Sequence, residues 1–252
     1  MQANTTDFIA KLAWQHTKTQ WKVFIASPIL GLLGLGLLSI LFTWLSHWIG
    51  IIGGILSFLT GIASFLFMLS YGGATTKWCE ELYKGATTLD IQAGYRYGLS
   101  RVLGSLGTAI LMTIKIFLWT LLLVIPGYYK MVQYKHSIAI SRLEKISGNK
   151  ATQLSQKLVM EAGWLRTLGN MAAFGILWTL ALYLALIPVF IIGWIFGLIH
   201  PIAGFVVGGF VAWVLFITLV AIMANFNTFE FLVYRDENSK AFNEAKNALA
   251  KL

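Results

Sequence analysis

Five residues could do chemistry that an apolar chain has little other reason to carry. They are Lys115, and then Lys130, Tyr134, Lys135 and His136, which sit in or just after the stretch LWTLLLVIPGYYKMVQYKH at 118–136. An ammonium group in hydrocarbon costs at least ~2.5 kcal/mol even on lenient insertion scales. Such lysines need water, backbone carbonyls, a shifted proton affinity or an anionic ligand. Lys115 lies 11 residues before Pro126 and Lys135 nine after it. If two helices fold back at Pro126-Gly127, a rise of about 1.5 Å per residue puts both ammonium groups roughly 13–17 Å below the turn. No Asp or Glu occupies the apolar centre of any run. The pattern points to a wet cavity holding an anion, a lipid phosphate or a carboxylate, with Lys130, Tyr134 and His136 adding polarity. A polar packing network with snorkelling lysines, or a re-entrant segment, are the alternatives.

No catalytic constellation accompanies these residues. HExxH, CxxC and GxSxG are absent. GLLGLG at 31–36 lies inside an apolar run with no preceding strand, so it does not read as a nucleotide loop. His16, His47, His136 and His200 are scattered. No metal site, cofactor or enzymatic activity is expected. Cys79 is the only cysteine, so no intrachain disulfide forms, and its neighbours Lys77, Glu80 and Glu81 suggest a solvated loop.

The elements that must position these cations are membrane helices. The chain is 58% hydrophobic and 12% charged, against roughly 25% charged in soluble domains. Apolar runs at 23–45, 49–71, 102–125, 168–199 and 202–233 each reach the ~20 residues that cross hydrocarbon as a helix. A weaker candidate is 128–143. The first run is too long for the core of a cleaved signal peptide. The basic residues favour counting the weak segment. With six spans, 16 of the 19 Lys and Arg residues fall on one side, the cytoplasmic side by the positive-inside rule. The expectation is an all-α bundle of six spans forming one membrane domain, 1–252, with both termini cytoplasmic, in a bacterial cytoplasmic membrane. Pro126 and Gly127 should form the hinge between spans three and four, and Pro188 should kink span five.

The chain also resembles itself. Residues 86–104, ATTLDIQAGYRYGLSRVLG, match residues 151–169, ATQLSQKLVMEAGWLRTLG, at seven of 19 positions without a gap. This suggests a parallel repeat of the kind that relates halves of some transporters. In the second copy Ala151, Leu154, Leu158, Val159 and Ala162 recur at helical spacing, opposite Lys150, Gln153, Gln156 and Lys157. That is an amphipathic helix for the cytoplasmic interface. Arg101 and Arg166, at the membrane boundary, could bind lipid phosphate, pair with Glu230, or snorkel. Gly50/Gly54, Gly193/Gly197 and Gly204/Gly208 fit the close-packing pattern GxxxG.

The order IPG, YYKMVQYKH, then ATQLSQKLVMEAGWLRTLG over about 85–180 resembles bacterial multi-span membrane proteins of unknown function related to the membrane domain of glycerophosphoryl diester phosphodiesterases. The resemblance implies architecture and membrane location. It implies no catalytic residue, because the phosphodiesterase domain has no counterpart here. Two functions stay open: a permease or export protein handling a lipid-like or anionic amphiphile through a polar cavity lined by spans three and four, or a non-transporting scaffold or stress-related factor. Expected partners are anionic membrane lipids, a small anionic amphiphile and a second copy of the chain, but not nucleic acid. The net charge of +9 suits anionic lipid.

Overall fold

The structure, a computed structural model, describes residues 5–250. Lys251, counted above with the basic tail, lies outside them. Among the described residues every regular element is a helix. Helix α1 (Thr5–Thr19) precedes a π-helical stretch, Lys22–Ala26, and α2 (Ser27–Ile49). Gly50, at φ +58°, reverses the chain into α3 (Ile51–Tyr83); a left-handed φ suits glycine because it has no Cβ to clash. Asp90 then caps α4 (Ile91–Leu122), its carboxylate accepting the Ala93 N–H at 3.0 Å. Short helices α5 (Val124–Gln133) and α6 (Ser137–Leu143) lead to α7 (Gly148–Ala162). The long pair α8 (Trp164–Ile199) and α9 (Pro201–Glu237) follows, and α10 (Ser239–Ala250) ends the described chain.

Five of these helices are long and apolar enough to cross a membrane, over Lys22–Ser46, Ile51–Tyr83, Ile91–Leu122, Trp164–Leu198 and Val207–Glu237. The architecture is thus all-α and compatible with an integral membrane protein. Segment 128–143, expected as the fourth of six spans, is not among them. It is divided between α5 and α6, with a break at Tyr134-Lys135-His136. The break is stitched locally: the Ser155 hydroxyl donates to the Gln133 carbonyl at 2.8 Å and accepts the His136 N–H at 3.2 Å. One side chain of α7 thereby satisfies two backbone groups that a continuous helix would have paired.

Two antiparallel hairpins, α2/α3 and α8/α9, rise from a packed foot. In the first, Gly53 lies directly against Ser46, and Thr43 and Ser57 share a hydrogen bond of 2.9 Å. In the second, Gly193 and Gly197 face Gly204 and Gly208, so those two GxxxG pairs do meet. Nearer the foot Phe174 stacks on Phe226 at 4.0 Å. The hairpins join where Cys79 Sγ donates to Asn225 Oδ1 at 3.2 Å. Cys79 is fully buried inside α3, so the expected solvated loop around it is wrong; its charged neighbours lie on the other sides of the helix. The foot holds the fully buried Phe24, Trp78, Leu154, Phe229, Phe231 and Tyr234. Beyond it burial collapses: none of the most apolar part of α8 is enclosed by protein. Its exposed leucines, isoleucines and phenylalanines form an apolar surface compatible with a lipid surrounding.

Two further expectations change, those for Pro126-Gly127 and for the repeat. The turn between α4 and α5 falls at Leu123, which is extended at φ −160° and ψ 138°. Pro126 sits in the first turn of α5, where its missing N–H costs nothing. Gly127 provides close approach rather than a hinge, since a Cβ there would lie 2.2 Å from Thr120 Oγ1. Pro188 lies inside α8, which continues past it to Ile199 as one helix. The two copies of the proposed repeat fold differently. Gly163, at φ +99°, separates α7 from α8, whereas its counterpart Gly98 lies within α4. Gly98 serves contact: a Cβ on it would stand 1.9 Å from the Ser70 carbonyl oxygen.

That contact is with backbone, which cannot move aside as a flexible side chain would. Gly98→Val should therefore lower stability by about 1–3 kcal/mol, the typical cost of overpacking. Gly104→Ala, whose added Cβ meets nothing closer than 3.6 Å, should leave the melting temperature of the detergent-solubilised protein unchanged.

Candidate functional site

Helices α5 and α6 run back along α4. Gly127 abuts Thr120, Lys130 lies over the Trp119 ring, Tyr134 faces Lys115, Ser141 nears Gly104, and the Tyr97 hydroxyl donates to the Arg142 carbonyl. This return decides where the five sequence-predicted residues go. The break at 134–136 turns neighbouring side chains to opposite sides and splits them into two sites.

The first site is half-open. The Lys115 ammonium donates to Asn149 Oδ1 at 2.5 Å and Thr152 Oγ1 at 2.9 Å, both on α7. Lys130 donates to Gln133 Oε1 at 2.9 Å. Both ammonium groups lie over the Tyr134 ring, at 5.5 and 5.7 Å from its centroid, and Lys130 also lies 5.5 Å from that of Trp119. Rings attract cations through their negative faces, but they carry no net charge. Among the described residues no carboxylate pairs with either lysine.

The second site is closed. Lys135 points away from Lys115 and meets Glu230 of α9 at 2.5 Å, with relative side-chain exposures of 10% and 0%. The pair is close in distance but off the hydrogen-bond direction. Glu230 also accepts from Asn170 Nδ2 at 3.0 Å, and that amide donates again to the Tyr234 hydroxyl at 2.9 Å. His136 is buried among Phe231, Tyr234 and this ion pair, and neither ring nitrogen has a hydrogen-bond partner. Burial pushes its imidazole down to about 4, against the pull of Glu230 and helped by Lys135. Lys115 and Lys135 therefore do not face one cavity, and Lys135 has the acidic partner that the sequence reading denied it. Glu230 stands near the inner end of the run read as 202–233, and it is the packing of α9 against the α5–α6 break that brings it to Lys135.

The remaining candidates are also engaged. Arg166 pairs with Glu237 at 2.7 Å, not with Glu230, and lies over the Tyr234 ring. Arg101 lies over the Tyr97 ring at 5.8 Å. The predicted apolar face of α7 exists, and Ala151, Leu154, Leu158 and Val159 are buried. It packs into the foot beside Phe242 and Leu249 of α10, so it is not free to lie on lipid. Three features had no sequence signal beyond single polar letters. Glu144 holds both Arg235, at 3.1 Å, and Lys246, at 2.5 Å. Asn225 donates to the Thr17 hydroxyl of α1 at 2.7 Å. Arg142 is buried against the Gly72 carbonyl at 2.5 Å, and desolvation lowers its guanidinium to about 10. Among the described residues no three His, Cys, Asp or Glu side chains converge as metal ligands.

No protein family, curated protein or solved structure matches this chain. The resemblance drawn over residues 85–180 rests on those residues alone. Chemically, the closed site can hold charge in place, and the open one can receive an anion.

Glu230→Gln should leave Lys135 buried without a counter-charge and cost about 3–5 kcal/mol, whereas joint replacement of Lys135 and Glu230 by Met and Leu should recover most of it. Melting of the solubilised variants measures both. His136 generates a pH dependence. Its folded value, about 4, lies below the unfolded one near ~6.5, so the unfolded chain binds more protons between them. The contribution of this group is full above pH ~6.5 and is lost as pH falls towards ~4, at up to about 1.4 kcal/mol per unit. The melting temperature of His136→Leu should fall less steeply across that window than that of the wild type.

Proposed function

We propose that the chain is an integral membrane protein that captures an anionic amphiphile at the Lys115–Lys130 site, with its foot and both ends on the basic, cytoplasmic side. One observation carries the reading: two ammonium groups share the Tyr134 ring, and among the described residues no carboxylate is paired to either. Like charges held together repel, and an anion bridging them relieves that repulsion. Thr152 and Asn149 supply further polar contacts beside Lys115. Next to them Ile114, Phe117 and Leu118 present exposed apolar surface suited to a hydrocarbon tail. A phosphate or carboxylate head with an apolar tail fits both halves of this surface.

Passage of the amphiphile across the membrane is a separate step. It needs a polar path lined by Lys115 and Lys135, and these two groups face different neighbours. Capture without transport is the simpler function. A scaffold role is favoured by a different feature, a groove of about 780 Å³ between α7 and α10 that is lined by Gln153, Gln156, Lys157, Glu161, Glu244 and apolar side chains.

Short-chain phosphatidylglycerol should raise the melting temperature of the full chain in neutral detergent more than phosphatidylcholine does, because a ligand that binds only the folded state stabilises it. Each basic residue near an anionic lipid contributes about 1 kcal/mol. Lys115→Leu with Lys130→Leu should thus weaken the anionic effect by about tenfold or more in concentration, while Lys157→Leu, in the groove, should not. Equal responses to the two lipids, or a double variant that still discriminates, would overturn the reading.

A further inference from the structure

Helix α4 is long and apolar enough to cross a membrane, but its contacts hold both of its ends at the foot. Its first end is fixed there by Asp90, whose carbonyl accepts the indole N–H of Trp78, and by Gly98 lying against Ser70 and Ala74 of α3. Its other end is reached through a chain of neighbours. Trp119 lies under Lys130, Lys130 is 6.0 Å from the Tyr129 ring, and Tyr129 stacks on Trp164 at 5.1 Å. Trp164 begins α8, whose first turns are bound to the last turns of α9 by Arg166–Glu237 and Asn170–Glu230. Those turns of α9 stand beside the foot of α3, because Asn225 bonds Cys79. A crossing of 32 residues would lift Trp119 to the level of Gly50, about 45 Å from that foot. The ring contacts do not allow this.

The surface of α4 is sharply divided. Leu99, Leu103, Ile110, Ile114, Phe117 and Leu121 are each more than half exposed. At 100° per residue they fall within about 60° of one another. Val102, Ser105 and Thr108 on the opposite side are buried against protein. Beyond the stripe, Leu122, Leu123, Val124 and Ile125 are all at least 60% exposed. Trp119, Tyr128 and Tyr129, side chains that prefer the membrane interface, surround this tip. The uncompensated Lys115 and Lys130 stand beside it.

We infer that the α4–α5 hairpin lies along the inner leaflet instead of crossing, with its apolar stripe in the acyl region and Lys115 and Lys130 at the phosphates of anionic phospholipid. Four helices then cross, α2, α3, α8 and α9. The basic segments 72–101 and 142–166 share one side with both ends of the chain, which is the distribution that the positive-inside rule demands and that five crossings would break. The occupant is a lipid leaflet because the stripe is exposed and apolar and stands beside the cations Lys115 and Lys130 rather than beside mixed charge. The assignment of head groups rests on the anion-capture reading; the placement of the hairpin rests on geometry alone.

The test uses the full chain in sealed vesicles of known orientation, with Cys79→Ser as background and one added cysteine at a time. Lys18→Cys marks the foot side and Trp48→Cys the α2–α3 tip. A membrane-impermeant maleimide should modify these two from opposite sides. Leu123→Cys should not be modified from the Trp48 side, and a spin label on it should report a depth within the acyl region of the foot-side leaflet. Modification from the Trp48 side, or a depth past the bilayer centre, overturns the inference. So does a fully aqueous label on the foot side, which would mark a protein-docking face. Repeating the depth measurement with Lys115→Leu and Lys130→Leu separates the two readings: an unchanged depth with lost preference for phosphatidylglycerol keeps the placement and assigns head-group binding to the lysines, whereas an unchanged depth with unchanged preference keeps the placement and discards anion capture.

Discussion

The Lys135–Glu230 ion pair is the constraint around which the foot is assembled. A buried charge without its partner costs several kcal/mol, so α9 must present Glu230 wherever the break between α5 and α6 presents Lys135. Asn170 of α8 completes the shell of the carboxylate. One electrostatic requirement thus ties helices α4–α7 to the α8/α9 hairpin. Hydrophobic packing alone would not do so uniquely, because Phe226, Phe231 and Leu232 could pack against many partners in many registers. The Glu144 cluster with Arg235 and Lys246 repeats the device nearer the end of α9.

Close backbone approach supplies the complementary constraint. Between helices surrounded by lipid there is little hydrophobic drive to associate, so contact area and hydrogen bonds must do the work. Gly98 against Ser70, and Gly204 against Gly193 and Gly197, bring helix surfaces together where any larger residue would hold them apart. Tyr71 adds a hydrogen bond of 2.6 Å to the Phe24 carbonyl, whose usual helical partner four residues on, Pro28, has no N–H to donate. The hairpins are therefore closely packed at their roots, while the apolar surface above them is left exposed.

The division of the lysines has functional weight. Lys135 is used up in structure, whereas Lys115 and Lys130 keep their charge available beside exposed apolar surface. Among the described residues no carboxylate pairs with either ammonium group. Their retention beside Tyr134, Thr152 and Asn149 suits transient occupancy by an anionic head group.

Much of the architecture was legible in the chain. Composition and run length pointed to helices long and apolar enough to cross a membrane, because backbone groups in hydrocarbon must be satisfied within their own segment, and five such helices are present. The 3.6-residue period marked the face of α7 that the fold buries, although that face packs into the foot and not on the interface. Other features could not be read. Whether α4 crosses or slants depends on which helix its far end touches, and an apolar run looks the same either way. The break at Tyr134-Lys135-His136 carries no Pro or Gly; it exists because Ser155, nineteen residues on, caps it. Pro126-Gly127 did look like a turn, yet the chain reverses at Leu123, since proline is equally at home in the first turn of a helix. The partner of Lys135 is 95 residues away in the sequence, so only the folded chain could decide that one lysine is neutralised and another left open.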